Sequence, residues 1–165
     1  MASALKLIPG KLKKLLRDLE MGSCKAVAVP GVKPPADKDA GEEVSPDEKT
    51  VYRAGVARCN CLSSDRPDIA FTVKELCRQM SNPKSTDVLA LKRLCRYLKG
   101  KGRLVQLLPP APRGGGSNWE LKVFVDSDWA GCRRTRKSTN GGCLMLAGAC
   151  LKVWSSTQAV LALSS

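Results

Sequence analysis

The sequence predicts an α+β protein in which helices come first and an antiparallel sheet follows. Apolar residues recur at helical spacing between residues 46 and 100. From residue 121 they alternate with polar residues, as they do in strands. A stretch rich in proline and glycine divides the two patterns. We therefore expect four consecutive segments, at residues 1–50, 51–108, 109–118 and 119–165.

The amino-acid composition excludes several classes of enzyme and zinc-binding protein and favours one kind of partner. The 165 residues include 28 Lys and Arg, 15 Asp and Glu and no His, which gives a net charge of +13. This length suits one domain or two small pieces. The missing histidine excludes Ser-His and Cys-His catalysis and histidine-containing zinc fingers. The positive charge favours a polyanionic partner, and nucleic acid is the first to consider.

Cysteine usage and hydropathy predict an intracellular chain, in cytoplasm or nucleus, that is neither secreted nor bound to a membrane. The eight cysteines form no C-x-x-C pair, and the sequence shows no secretory segment. We expect the thiols to be reduced and mostly buried. The longest apolar run, Leu144–Leu151, is far shorter than the roughly 20 residues of a membrane span.

The first helix is predicted at residues 11–20, where four leucines share one face. Packing against the rest of the chain is the favoured role of that face. A membrane surface or a calmodulin-like partner is the alternative. Residues 26–45 contain three prolines and several acids without a period, which is typical of a linker.

Local signals mark the next two helices. Ser45 is followed by proline, and Glu48 stands three positions after it, so we expect a capping box and a helix that begins at Pro46. A second helix is predicted at residues 67–80, because apolar residues keep helical spacing until an Asn-Pro pair.

A third helix is predicted from an N-cap at Ser85 to Lys99, where Gly100 ends it. Its polar side carries basic residues with no interleaved acid. That side is either an ordinary solvated face or a face that binds phosphates. In the second case the nucleic-acid-binding residues are Lys92, Arg93, Arg96 and Lys99.

Three strands are predicted after the linker. Residues 121–127 alternate apolar and polar side chains, the pattern of a half-buried strand. Residues 141–148 and 150–157 indicate two more strands, with a tight hairpin at Ala147-Gly148-Ala149. Sequential short strands predict an antiparallel meander.

Two carboxylates close the first of these strands. Asp126 and Asp128 are two residues apart, so in an extended chain both point to one side. Such a pair suits a divalent metal ion, which prefers oxygen ligands. The alternative is that these residues only form a turn.

Several motifs, in order, resemble the downstream part of copia-type retrotransposon Pol polyproteins. The likeness is strong from about residue 51 onward and weaker at residues 11–34. The motifs are YR at 52–53, DRPDIA at 65–70, LKR at 91–93, RYLKG at 96–100, VDSDWAG at 125–131, RKST at 136–139, WSSTQ at 154–158 and ALSS at 162–165.

The resemblance implies that residues before about 108 belong to the thumb and connection of a reverse transcriptase. Residues from about 119 would begin a ribonuclease H-like domain with its first antiparallel strands. Asp126 matches the family's first metal-binding carboxylate, and Asp128 could at most assist. The family's catalytic glutamate falls just after its Ala-Leu-Ser-Ser motif, so this sequence holds an incomplete ribonuclease H site. We therefore expect Mg²⁺ as a cofactor only if that site were completed.

Three functions remain open at this stage. The favoured one is a fragment of a copia-type polyprotein that binds RNA–DNA hybrid or duplex nucleic acid through its basic helical region. The second is part of a longer, active ribonuclease H that cleaves RNA–DNA hybrids. The third is an unrelated small basic nucleic-acid-binding protein. The paired aspartates of the family's polymerase motif have no counterpart in this sequence. The sequence therefore does not decide whether the chain is an enzyme.

Overall fold

The computed structural model describes residues 4–6, 9–32, 41–102, 104–107, 119–132 and 135–161. It divides into two compact units: residues 7–103, and residues 1–6 together with 104–165. The first unit is helical and the second is built from strands, which confirms the α+β class. The ends of the chain and the predicted linker at 109–118 lie outside the described residues, so the predicted four-segment division remains a prediction.

The helical unit contains four α-helices and a single 3₁₀ turn at Pro67–Ile69 among its described residues. The helices are α1 (Pro9–Asp18), α2 (Pro46–Ser63), α3 (Ala70–Cys77) and α4 (Ser85–Gly100). Throughout the described ranges, no helix combines the length and the apolar character that crossing a membrane requires.

All four helices contribute to one apolar core. Leu15 of α1 is fully buried, as the leucine face predicted, and Leu12, Leu16 and Leu19 pack beside it. Burial of such side chains is the main favourable term that holds the helices together. The other buried members are Met21, Tyr52, Val56, Cys59, Leu62, Ile69, Val73, Leu76, Leu91, Leu94, Cys95, Tyr97 and Leu98.

The capping box at the start of α2 is confirmed. The Glu48 amide donates to the Ser45 hydroxyl at 3.2 Å, and the Ser45 amide donates to the Glu48 carboxylate at 3.1 Å. These bonds satisfy amides that a helix start leaves without partners. Pro46 is the first helical residue, as expected.

The N-cap of α4 lies one residue earlier than predicted. Lys84 occupies it, and its amide donates to the Asp87 carboxylate at 2.9 Å. Ser85 is already helical, and its hydroxyl accepts instead from the Glu42 amide at 3.1 Å. Asp87 thus supplies the cap that the sequence pattern assigned to Ser85.

The helix predicted at residues 67–80 is shorter and has two parts. It begins with the 3₁₀ turn, continues as α3 and gives way to turns after Cys77. Arg53 fixes those turns, since its guanidinium donates to the carbonyls of Met80 at 2.8 Å and Ser81 at 3.0 Å. Met80 keeps its predicted contact with the core.

The strand unit contains the predicted antiparallel meander. Its strands are β3 (Leu121–Ser127), β4 (Thr139–Leu146) and β5 (Ala149–Thr157), in the order β3-β4-β5. A separate antiparallel pair, β1 (Ala4–Lys6) with β2 (Val105–Leu107), was not predicted. Its strands are only three residues long and lie about 100 positions apart in sequence, so no local pattern indicates their pairing.

The prediction that residues 121–127 form a half-buried strand is wrong in its burial. All seven residues of β3 are exposed, and Val125 is 73% accessible. The alternation of apolar and polar residues indicates that a strand has two different faces. Burial of one face also requires a second layer that covers it. Within the described residues, no layer covers β3.

The cysteines are free, but fewer are buried than expected. Only Cys59 and Cys95 are buried, Cys61 is exposed, and the other five are half-buried. Burial raises the pKa of the Cys95 thiol to about 12, and it raises the pKa of Cys59 as well. These two thiols therefore act as small apolar core residues.

Candidate nucleic-acid interface and carboxylate site

The four basic residues predicted on α4 divide into two pairs. Arg96 and Lys99 are hydrogen-bonded to backbone carbonyls of the segment that follows α1. The Arg96 Nε donates to the Lys25 carbonyl at 2.8 Å. The Lys99 ammonium donates to the carbonyls of Gly22 and Cys24, the latter at 2.8 Å. These two cations hold a loop in place.

The loop at residues 21–27 needs these donors because it has no regular secondary structure of its own. It lies close to the end of α4, where a Cβ added to Gly100 would come within 2.8 Å of the Ala26 Cβ. Side chains of the loop, Cys24 and Val27, pack against the core. The bonds from α4 satisfy backbone carbonyls that no helix or sheet pairs.

Lys92 and Arg93 are placed differently. Lys92 is exposed and makes no hydrogen bond or ion pair with any described residue. Arg93 is half-buried, and its Nε has no hydrogen-bond partner among the described residues. The exposed Lys92 ammonium can reach an external anion, whereas the Arg93 Nε is itself a buried atom.

Between residues 51 and 118 the acids are largely engaged, which leaves the positive charge of this stretch in excess. Residues 51–118 contain thirteen Lys and Arg against four Asp and Glu. Of those four acids, Asp68 is bonded to Arg66, Glu75 to Arg78, and Asp87 caps α4. Because these carboxylates already have partners, they do little to neutralise a cation such as Lys92.

Arg66 forms a buried hydrogen-bond network that was not predicted from the sequence. Its guanidinium is 1% exposed, binds the Asp68 carboxylate through two bonds at 2.7 and 2.8 Å, and donates to the Lys101 carbonyl at 2.8 Å. The Tyr97 hydroxyl also donates to Asp68, at 2.7 Å. The DRPD motif thus joins the start of α3 to the end of α4. In the sequence, the only indication of a role for these residues was the resemblance of this motif to the copia-type family.

Asp126 and Asp128 each accept a hydrogen bond from a backbone amide. Asp126 accepts from the next amide, that of Ser127, at 2.9 Å, and its side chain is exposed. Asp128 accepts from the Thr139 amide, while its own amide donates to the Thr139 carbonyl. It also lies so close to Gly131 that a Cβ there would overlap its carboxylate. Asp128 therefore ties the end of β3 to the start of β4.

Three of the family-like motifs meet at this end of the sheet. The buried Ser138 hydroxyl accepts from the Ala130 amide at 3.0 Å. The Gln158 side chain donates to Asn140 at 2.6 Å, and the Gln158 amide donates to the Ser138 carbonyl. Motifs at residues 125–131, 136–139 and 154–158 are thus parts of one hydrogen-bonded arrangement.

The carboxylates do not fit a two-metal ribonuclease H centre. Such a centre needs several carboxylates around two Mg²⁺ ions. In the ranges that the structure covers, no three Asp, Glu, Cys or His residues are grouped as metal ligands would be. Asp126 and Asp128 each use one carboxylate oxygen on a backbone amide, and no third ligand of this kind stands beside them in the described part of the chain.

Comparison with known proteins yields clear relatives by sequence alone. No protein-family model matches the chain. No solved structure matches it either.

The relatives include retrovirus-related Pol polyproteins, uncharacterized mitochondrial proteins of Arabidopsis thaliana and a secreted RxLR effector protein of Plasmopara viticola. The chain is 31% identical to an uncharacterized mitochondrial protein of Arabidopsis thaliana over 138 residues, which is 81% of this chain and 53% of that protein. It is 35% identical over 94 residues to the Retrovirus-related Pol polyprotein from transposon RE1 of the same plant, covering 57% of this chain and 6% of the polyprotein. For the polyprotein from transposon RE2 the identity is 34% over 128 residues, or 77% and 8% of the two chains.

The chain belongs to the copia-type retrotransposon Pol polyprotein family, as its ordered motifs predicted. It spans about half the length of the mitochondrial relative and less than a tenth of either transposon polyprotein.

Proposed function

We propose that this chain is the part of a Pol polyprotein in which the reverse transcriptase ends and ribonuclease H begins, and that its helical unit binds RNA–DNA hybrid or duplex nucleic acid. The observation that carries the proposal is a pair of cations on α4 that make no hydrogen bond or ion pair with a described residue. Lys92 is exposed and has no partner among the described residues, and it lies beside Arg93 in the stretch 51–118, whose acids are mostly engaged.

The proposed contacts are to phosphates. Lysine and arginine neutralise backbone charge and release counterions, and this part of binding carries no sequence information. The polar side of α4 lies on a helix held rigid by its core residues, Leu91, Leu94 and Leu98. A rigid, positively charged surface of this kind suits the regular phosphate spacing of a duplex.

The strand unit supports the ribonuclease H part of the proposal through its topology. Three sequential antiparallel strands agree with the beginning of that fold, and Asp126 lies near the end of the first of them. Because the described carboxylates do not fit a two-metal centre, hybrid cleavage by these residues alone is not part of the proposal.

The proposal is tested by measuring the affinity of the full chain for a fluorescently labelled RNA–DNA hybrid over a series of salt concentrations. We expect log K to fall linearly with log salt, by about 0.9 per phosphate contacted on a B-form duplex. We also expect two hybrids of unrelated sequence to bind equally. Affinity that does not depend on salt, or a strong preference for one sequence, would contradict phosphate binding.

A further inference from the structure

Three sulfur atoms converge on one face of the β4–β5 hairpin. The Cys143 Sγ lies 3.4 Å from the Cys150 Sγ and 3.3 Å from the Met145 Sδ. All three side chains are half-buried, so solvent reaches the cluster. The three residues lie outside the family-like motifs of the strand unit, at residues 125–131, 136–139 and 154–158.

A β-bulge brings the third sulfur to this face. Opposite Cys143 stands Val153, but opposite Met145 stands Cys150, because the register shifts by one residue between Leu144 and Met145. Residues opposite each other in an antiparallel pair share a face, and a shift of one residue changes the face. Without the bulge, Cys150 would stand opposite Leu146, on the other side of the sheet.

We infer that Cys143, Met145 and Cys150 form a binding site for a soft monovalent metal ion, Cu(I) in nature and Ag(I) as its laboratory equivalent. Thiolate and thioether sulfurs are the ligands that select Cu(I). On binding, each cysteine forms a metal–sulfur bond and releases its thiol proton to solvent, and the methionine donates a lone pair without losing a proton. The metal keeps its oxidation state, so no oxidant or reductant takes part.

The geometry needs only a small adjustment. Metal–thiolate bonds of about 2.3 Å place the sulfurs of a trigonal site roughly 4 Å apart. The distances from the Cys143 Sγ to the other two sulfurs must therefore open by roughly 0.6 to 0.7 Å, which small torsional changes within one rotamer well can supply.

The donor set also argues against commoner metals. Structural zinc sites use four Cys, His or carboxylate ligands. Within the described residues, these two cysteines have no third ligand of that kind beside them. Mg²⁺ and Ca²⁺ require oxygen ligands. A two-thiolate, one-thioether set matches a soft ion that accepts three ligands.

The test is a competition titration of the full, reduced chain under anaerobic conditions, with Cu(I) supplied by a chromophoric chelator. We expect the chain to withdraw one tightly held equivalent of Cu(I). Cys143→Ser and Cys150→Ser should each lower that affinity by about tenfold or more, since changes even in the surroundings of metal ligands cost 10- to 100-fold. Cys61→Ser is the matched control, because Cys61 is exposed on α2, in the other unit, and should leave the affinity unchanged.

A second measurement needs no variant and so does not depend on how the serine variants fold. In the wild-type chain, Ag(I) should protect Cys143 and Cys150 from alkylation, read by mass spectrometry, while Cys61 reacts at its usual rate. Equal alkylation of Cys143 and Cys150 with and without Ag(I) would overturn the inference. So would tight Cu(I) binding that survives in Cys143→Ser.

Discussion

At the residue scale, Arg66 shows how a buried charge is made tolerable. An unpaired guanidinium at 1% exposure would be very costly, but this one donates to the Asp68 carboxylate and to the Lys101 carbonyl. Burial raises the pKa of Asp68, but the hydrogen bonds from Arg66 and Tyr97 outweigh that effect and bring the pKa below its ordinary value. The ionised pair is therefore the stable form.

We predict that Asp68→Asn lowers the free energy of unfolding by about 3 kcal/mol at neutral pH, because it leaves Arg66 buried without its counter-charge. The lowered pKa means that this contribution is complete above the ordinary aspartate pKa of about 3.9 and is lost as pH falls through the lower folded value. Urea unfolding across a pH series checks this.

The matched control is Asp65→Asn, because Asp65 is exposed in the same motif and makes no ion pair with a described residue. Its effect should stay within about 0.5 kcal/mol. If wild type and Asp68→Asn differed equally at pH 7 and well below pH 3, the ionised pair would not be the cause.

At this scale, a hydrogen bond could be predicted from the sequence when its two partners lie close together along the chain. The Ser45–Glu48 capping box was predictable because its two members are three residues apart and bond to each other. Arg66 was not, since the carbonyl it binds lies 35 residues further along the chain. The family resemblance singled out the motif that contains Arg66 but did not predict this hydrogen bond.

At the element scale, the hairpin between β4 and β5 is the best predicted connection. Ala147 and Gly148 form a two-residue turn, with φ angles of 47° and 83°. Two positive φ values define the type I′ turn, whose twist matches that of the flanking strands. Glycine adopts such angles freely, but alanine at 147 does so at a steric cost.

We predict that Ala147→Asn stabilises the hairpin by about 1 kcal/mol, because asparagine tolerates the left-handed region and Asn-Gly is the preferred type I′ pair. Amide hydrogen exchange of β4 and β5 in the full chain measures the gain. Gly148→Ala, at the neighbouring position, should change protection in the opposite direction. Faster exchange in Ala147→Asn would contradict the turn assignment.

The strands also show where an element-scale pattern stops being informative. The bounds of β3 match residues 121–127 as predicted, since alternation and β-branched residues are local properties. The predicted burial of β3 was wrong. Val123 and Val125 would be buried only if a second layer covered them, and the residues of the strand do not determine whether such a layer is present. Exposed apolar strands of this kind are a risk for aggregation.

At the scale of the whole molecule, the four cations of α4 differ in their contacts. Arg96 and Lys99 hold a loop whose carbonyls lie 71 to 77 positions away in sequence, whereas Lys92 and Arg93 make no hydrogen bond or ion pair with a described residue and are the proposed phosphate contacts. Composition predicted a basic surface, because net charge is a sum over the sequence. Which cations the fold consumes depends on tertiary contacts, so the sequence could not divide the four residues.

A crossed pair of double variants tests this division most directly, with hybrid affinity and thermal unfolding measured on each. Lys92→Gln with Arg93→Gln should reduce the slope of log K against log salt by about 2, one for each lost phosphate contact, and leave the melting temperature nearly unchanged. Arg96→Gln with Lys99→Gln should lower stability by about 1 kcal/mol for each carbonyl bond lost and keep most of the salt slope. If the first variant bound the hybrid with the affinity and salt slope of wild type, the proposed interface on α4 would be wrong.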